Sequence, residues 1–325
     1  MTKKFTGTFT ALVTPMVQNT PPVRFADSPP ASGVAQASVD FRGVRKLIRD
    51  QVRAGVNGIV IMGTTAETPT LTRAEEKKLI SIARAEIAGH GESSGRAALI
   101  IGTGTNNTLT TIENTRRAMD AGADAALVVT PYYNKPNTNG LIEHFRAVAA
   151  VGLPIIVYNI FGRTGRNITV EEMKTLAEIP NIVGVKEASG DMTQIRRVID
   201  EIKKPMAARG RDFFVLSGDD GLTLDVMRAG GDGVVSVISN LVPARVREMT
   251  DAANAGDFAR AAEIDASLAE LSKMAFIDGN PVSIKYIMAA AGAIKSGVCR
   301  LPLGAIASDK GSALDEFVKQ LIIKN

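Results

Sequence analysis

Lys186 ends a short apolar run, Ile182-Val183-Gly184-Val185-Lys186, that opens after Pro180-Asn181 and runs into Glu187-Ala188-Ser189-Gly190. A β-branched run bounded by turn residues reads as a buried strand, here with a cation at its end. A buried ammonium is costly unless it is paired, neutralised or used. Two readings are open at this point. In one, Lys186 pairs with an acid such as the adjacent Glu187. In the other, the amine stays partly neutral and attacks a carbonyl to form a Schiff base. From a free pKa near ~10.4, that second role needs a depression of roughly three units, about 4 kcal/mol of environment.

Other polar residues gather after similar apolar runs. Gly63-Thr64-Thr65-Ala66-Glu67-Thr68 offers hydroxyls and backbone N–H groups that suit a carboxylate, or alternatively a helix cap leading to Arg73. Thr130-Pro131-Tyr132-Tyr133-Asn134-Lys135-Pro136 and Tyr158-Asn159 carry three of the chain's four tyrosines, and Phe161-Gly162-Arg163-Thr164-Gly165 adds a guanidinium. Taken singly, each tyrosine reads as an aromatic at the edge of the core with a wet hydroxyl. Together with a strand-end lysine they read as a site. Asp219 and Asp220, after Ser217-Gly218, read as helix caps rather than metal ligands.

The elements that must hold these residues alternate in type. Strands are expected at Phe9–Val13, Gly58–Met62, Ala97–Ile101, Ala125–Val129, Ile155–Tyr158, Ile182–Lys186, Phe213–Ser217 and Gly233–Ser236. Asp40 caps a helix with apolar positions Val44, Leu47, Ile48 and Val52. Further helices are expected at Arg73–Ala88, Leu109–Ala121, Gly140–Ala150, Val170–Ala177, Met192–Glu201 and Leu222–Ala229. Eight strands alternating with helices imply parallel pairing and a closed (β/α)8 barrel, an α/β TIM barrel whose active site lies at the C-terminal strand ends. A doubly wound open sheet is disfavoured, because Gly102-Thr103-Gly104 follows the third strand and Asn107 takes the place of a third glycine. Residues 1–256 are assigned to the barrel and 257–325 to a C-terminal helical extension packed on it, with helices at Ala244–Ala255, Phe258–Ala275 and Pro281–Ala291 spanning the junction. The aperiodic, Pro-rich stretch from Gln18 to Gln36 reads as a long loop on the active-site face, at the mouth or at a subunit contact; its deletion should then change rate or assembly.

Bulk composition narrows the function classes. The 325 residues are 45% hydrophobic, enough for a large core, and no apolar run approaches a membrane span. The N-terminus has no signal-peptide core, so a cytoplasmic location is expected. One cysteine, Cys299, excludes an intrachain disulfide, and the two histidines, His90 and His144, are too far apart in sequence to suggest a metal site and are expected at the surface. A net charge of +4, spread rather than striped, and the absence of tryptophan argue against nucleic-acid binding.

Five segments in order, Gly63–Glu67, Val129–Pro136, Tyr158–Gly165, Gly184–Gly190 and Leu216–Asp220, with Asn280-Pro281 further on, resemble the motif set of the dihydrodipicolinate synthase family of pyruvate-dependent class I aldolases. The resemblance runs over nearly the whole chain. It implies that Lys186 forms the Schiff base with pyruvate and that Tyr158, Thr64 and Tyr133 relay protons, Tyr133 from across a subunit interface. Thr65 would help hold the pyruvate carboxylate, Arg163 would take the carboxylate of L-aspartate 4-semialdehyde, and the Val235 carbonyl would face the site. It also implies a homotetramer built as a dimer of dimers, no cofactor and no metal. The positions matching the family's L-lysine inhibition site are Arg73, Glu76, Asn106, Thr110 and Tyr132; with Arg73 for an imidazole and Thr110 for an acid, feedback should be weak or absent, and half-inhibition at sub-millimolar lysine would refute that. The alternatives are a sister aldolase acting on a sugar-acid or hydroxyproline-derived partner, and a non-catalytic barrel.

Overall fold

The structure is a computed structural model, and it describes residues 5–18, 37–89 and 96–324. Eight parallel strands close into a barrel in the order β1 (Gly7–Ala11), β10 (Gly233–Ser236), β9 (Phe214–Ser217), β8 (Ile182–Glu187), β7 (Ile155–Asn159), β6 (Ala125–Val129), β5 (Ala98–Gly102) and β4 (Gly58–Ile61). The expected barrel is therefore the fold observed, with strand limits within two residues of those read from the run lengths. Successive residues of each strand alternate between two apolar clusters. Phe9, Val60, Ile100, Leu127, Ile156, Leu216 and Val235 fill the barrel interior. Ile59, Leu99, Val157, Val185 and Val215 face outward against the helices.

The helices of the barrel are α1 (Phe41–Arg53), α2 (Arg73–Ala88), α3 (Thr108–Asp120), α4 (Thr138–Ala149), α5 (Phe161–Thr164), α6 (Val170–Ala177), α7 (Met192–Val198), α8 (Lys204–Ala208) and α9 (Thr223–Arg228). Side chains cap most of the longer ones: Asp40 accepts from the Gly43 N–H at α1, and Thr72 with Glu75 and Thr169 with Glu172 form capping boxes at α2 and α6. The helix expected at Met192–Glu201 runs further, passing through a π-helical turn at Ile199–Lys203 into α8. Four more helices follow: α10 (Pro243–Asn254), α11 (Phe258–Met274), α12 (Val282–Ala290) and α13 (Ser308–Lys324). Their apolar residues, among them Val246, Ile264, Ile284 and Leu314, join the same cluster as the barrel's outer face.

Three local features depart from the sequence reading. A short antiparallel hairpin, β2 (Met16–Gln18) with β3 (Ala37–Val39), brackets the Pro-rich stretch, and three-residue strands are too short to show a period. Of that stretch, residues 19–36 lie outside the described residues, as does His90. His144 is not at the surface but 4% exposed, because it falls on the face of α4 that also buries Leu141, Phe145 and Val148. Its Nδ1 lies 3.0 Å from the Thr108 hydroxyl, and burial pushes its pKa down to about 4. α13 lies within the expected helical extension, although no helix of its own is read there from the sequence. No described helix is long and apolar enough to cross a membrane.

Candidate active site

β7 and β8 pair in register so that Tyr158 stands beside Lys186, and β8 pairs with β9 so that Leu216 stands on its other side. By the period of two, all three side chains point into the barrel, while Glu187 points out. Glu187 is taken up there by Asn159 Nδ2 at 3.1 Å, the Ser189 N–H at 2.9 Å and Gln194 Nε2 at 3.4 Å. The Lys186–Glu187 ion pair is thereby ruled out by strand geometry. Lys186 is 6% exposed, and its ammonium nitrogen sits over the Tyr158 ring, 4.2 Å from the centroid. Burial drives the Lys186 pKa down from 10.5 to about 8; the Asp220 carboxylate opposes that shift and the Arg163 guanidinium adds to it. Tyr158 moves the other way, to about 12, because burial disfavours the phenolate. At neutral pH the pair is therefore a phenol beside an amine that is partly free base.

Space for the lysine stem is left by Gly218 after β9. A Cβ there would lie 3.0 Å from Lys186 Cε and 2.6 Å from the Ala188 side chain. Asp219 caps the following turn, accepting from the Gly221 N–H, as the sequence suggests. Asp220 does not cap. It is buried, and its Oδ2 accepts from the Val237 N–H at 2.8 Å and the Ile238 N–H at 3.1 Å, tying β9 to the end of β10. Desolvation raises its pKa against these hydrogen bonds.

A cavity of about 550 Å³ opens at the C-terminal ends of β4 to β7, with Thr64, Tyr158 and Arg163 in its wall. Thr64 and Thr65 form the helical turn after β4; the Thr65 hydroxyl accepts from Asn280 Nδ2 at 2.9 Å. Glu67 takes a positive φ there, 57°. Arg163 belongs to the single turn α5, stopped by Gly165 at φ 65°, and its Nη2 donates to the Asn280 carbonyl at 2.9 Å. Asn280 therefore touches both expected carboxylate ligands. The sequence marked it only as part of an Asn-Pro pair. Val235 lies in β10, two strands from β8, with its side chain in the barrel interior.

Tyr133 is not brought to the cavity. It is 89% exposed and held at φ 71°, turned outward beside Tyr132, which does line the cavity. Arg73, Glu76 and Thr110 line the same cavity on its outer side, with Arg73 Nη1 held by Glu76 at 2.8 Å and Asn114 at 3.1 Å. Asn106 lies outside the wall, and its carbonyl accepts from Asn134 Nδ2. Among the described residues no cluster of three His, Cys, Asp or Glu side chains could hold a metal ion.

The model of the dihydrodipicolinate synthetase family matches residues 30–321. A 4-hydroxy-tetrahydrodipicolinate synthase of Protochlamydia amoebophila is 41% identical over 316 residues, covering 97% of this chain and 96% of that one. The crystal structure of dihydrodipicolinate synthase from Aquifex aeolicus superposes with a TM-score of 0.84 at 38% identity, covering 98% of each chain. A structure described as the first monomeric dihydrodipicolinate synthase variant gives 0.84 at 35% identity, over 97% of this chain and 96% of that one. By both sequence and fold, the chain belongs to the dihydrodipicolinate synthetase family and is an enzyme of the lyase class.

Proposed function

We propose that the protein condenses pyruvate with L-aspartate 4-semialdehyde to 4-hydroxy-tetrahydrodipicolinate, the entry step of diaminopimelate and lysine biosynthesis, in the cytoplasm. The observation that carries this reading is the buried Lys186 amine against the Tyr158 ring, with a pKa near 8 and no competing ion pair with Glu187. The free amine attacks the ketone carbon of pyruvate, and protons pass through the Tyr158 phenol and the Thr64 hydroxyl as water leaves and the imine forms. Loss of a methyl proton gives the enamine, whose carbon adds to the aldehyde of the second substrate. The amino group of that substrate then displaces Lys186 as the ring closes. Thr65 supports the pyruvate carboxylate, and the Arg163 fork at the cavity wall suits the carboxylate of the semialdehyde. Val235 contributes its main-chain carbonyl near the lysine. These steps draw on groups of the chain itself, with no cofactor or metal in a role.

The exposed Tyr133, on a left-handed backbone, suits service in a neighbour's site within a dimer of dimers. Residues 257–325 are assigned as a helical extension that belongs with the barrel. The outer cavity wall, with a guanidinium at Arg73 and a hydroxyl at Thr110, is a poor receptor for a lysine ammonium, in keeping with weak feedback.

Borohydride reduction in the presence of pyruvate, followed by mass spectrometry of the peptide containing Lys186, tests the mechanism. A coupled semialdehyde assay on the same sample tests the second substrate. An adduct on Lys186 with turnover is expected; an adduct without turnover moves the assignment to a sister aldolase, and no adduct removes the Schiff-base role.

A further inference from the structure

Glu67 closes the turn that carries Thr64 and Thr65, and it does so in the left-handed conformation (φ 57°, ψ 35°) that non-glycine residues seldom adopt. Its carboxylate is wholly buried. One oxygen accepts from Lys285 Nζ at 2.5 Å, with both side chains 0% exposed, and the other accepts from the Arg300 N–H at 2.8 Å. Lys285 lies in α12, 218 residues further along the chain. A buried pair of this kind resists displacement, since moving either partner strands a charge in the interior.

Two further ties act on the same turn. Asn280 Nδ2 donates to the Thr65 hydroxyl, and the Thr14 hydroxyl donates to the Ala66 carbonyl at 2.9 Å. Arg300 extends the fastening outward: Nε donates to the Ala37 carbonyl, Nη1 to the Thr70 carbonyl, and the guanidinium grips Glu75 at the start of α2 with bonds of 2.8 and 2.6 Å. The position of the Thr64 hydroxyl is therefore set by what holds its neighbours, and apart from Thr14 the holders come from the segment 280–300.

We infer that the Glu67–Lys285 pair is a positioning device for the reaction: the C-terminal helices, outside the barrel, fix the two threonine hydroxyls of the site through it. This rests on the roles given above to Thr64 and Thr65. A pair that served stability alone would, when broken, lower the melting temperature and leave the folded enzyme's kinetics unchanged. A positioning pair changes the kinetics of protein that remains folded. The pyruvate KM reports on Thr65, and kcat reports on the relay through Thr64.

The test compares wild type, Lys285→Met, Glu67→Gln and the double variant by kcat, pyruvate KM, borohydride trapping at saturating pyruvate, and thermal midpoint. Each folded single variant is expected to lose roughly tenfold to a hundredfold in kcat and to raise the pyruvate KM, while Lys186 still forms its adduct. The double variant, with no charge left to strand, recovers the thermal midpoint and does not recover the rate. If the single variants do not fold, the double variant carries the test alone: its kcat stays low and its pyruvate KM high. Folded singles with wild-type kcat and KM, or a double variant whose rate returns with its stability, would each overturn the inference. Wild-type protein that forms no pyruvate adduct overturns the underlying roles as well, which separates the two failures.

Discussion

With its pKa held near 8 against 10.5 for the free side chain, Lys186 binds fewer protons in the folded chain than in the unfolded one between those two values. Folding stability therefore rises with pH across that window. Below about 8 the buried ammonium destabilises the fold by its full amount, on the order of 3 kcal/mol. The same depression supplies the free base, so imine formation with pyruvate should rise with pH and level off above about 8. Asp220 opposes it, since a carboxylate near the amine favours the charged form. Asp220→Asn keeps an oxygen for the Val237 and Ile238 N–H donors and removes the charge. The midpoint of the pH profile for kcat/KM on pyruvate should then move to lower pH. An unmoved midpoint would show that Asp220 is already neutral in the working enzyme.

The loop from Ile160 to Thr169 places Arg163, and it is held from its far end by α6. Glu172, the acidic member of the capping box, is buried and accepts from Arg166 and from the Thr138 hydroxyl at 2.7 Å as well as from the Thr169 N–H at 3.0 Å. Burial raises its pKa, but the Arg166 bonds and the hydroxyl and N–H donors outweigh burial and bring it to about 2. A depressed carboxylate contributes stability that is fully present above its unfolded value near 4.5 and lost as pH falls towards 2. Glu172→Ala leaves Arg166 unpaired in a half-buried site and should cost about 3 kcal/mol in urea or thermal unfolding, with the difference from wild type shrinking below pH 4.5. A loss under 1 kcal/mol would place the pair among surface bridges. Much of this scaffold is legible in the sequence. The β-branched runs locate β6 and β10 as observed, the helix expected at Val170–Ala177 is α6, and the order of strand-end motifs brings Lys186 beside Tyr158. What is not legible depends on tertiary proximity. Asp220 reads as a cap until β10 is seen to supply its donors, and Glu67 finds Lys285 only after the chain has gone round the barrel. Lys285 did leave a trace, as a cation inside the apolar run Val282–Met288.

On the scale of the molecule, a single chain holds Tyr158, Thr64 and Arg163 around one cavity, with Lys186 against the Tyr158 ring, and turns Tyr133 away from it. Tyr133 at 89% exposure and φ 71° is poorly placed to act at home, and the cost of its backbone conformation is easier to understand if the ring is delivered elsewhere. In a two-fold dimer each chain would lend its tyrosine to the other's site, because an isologous contact repeats itself in both directions. The arrangement gives a test that does not depend on any structure of the assembly. Lys186→Met should be inactive, and Tyr133→Phe should lose most of kcat while still trapping pyruvate on Lys186. After mixing and subunit exchange, a hybrid dimer has one site with both defects and one with neither. Half the dimers are hybrids and half their sites are whole, so about a quarter of wild-type activity should return. If Tyr133 acted within its own chain, every site in the mixture would carry one defect and nothing would be regained. A mixture no more active than the Tyr133→Phe protein alone, with subunit exchange verified by native mass spectrometry, would assign the tyrosine to its own chain or to no chemical role.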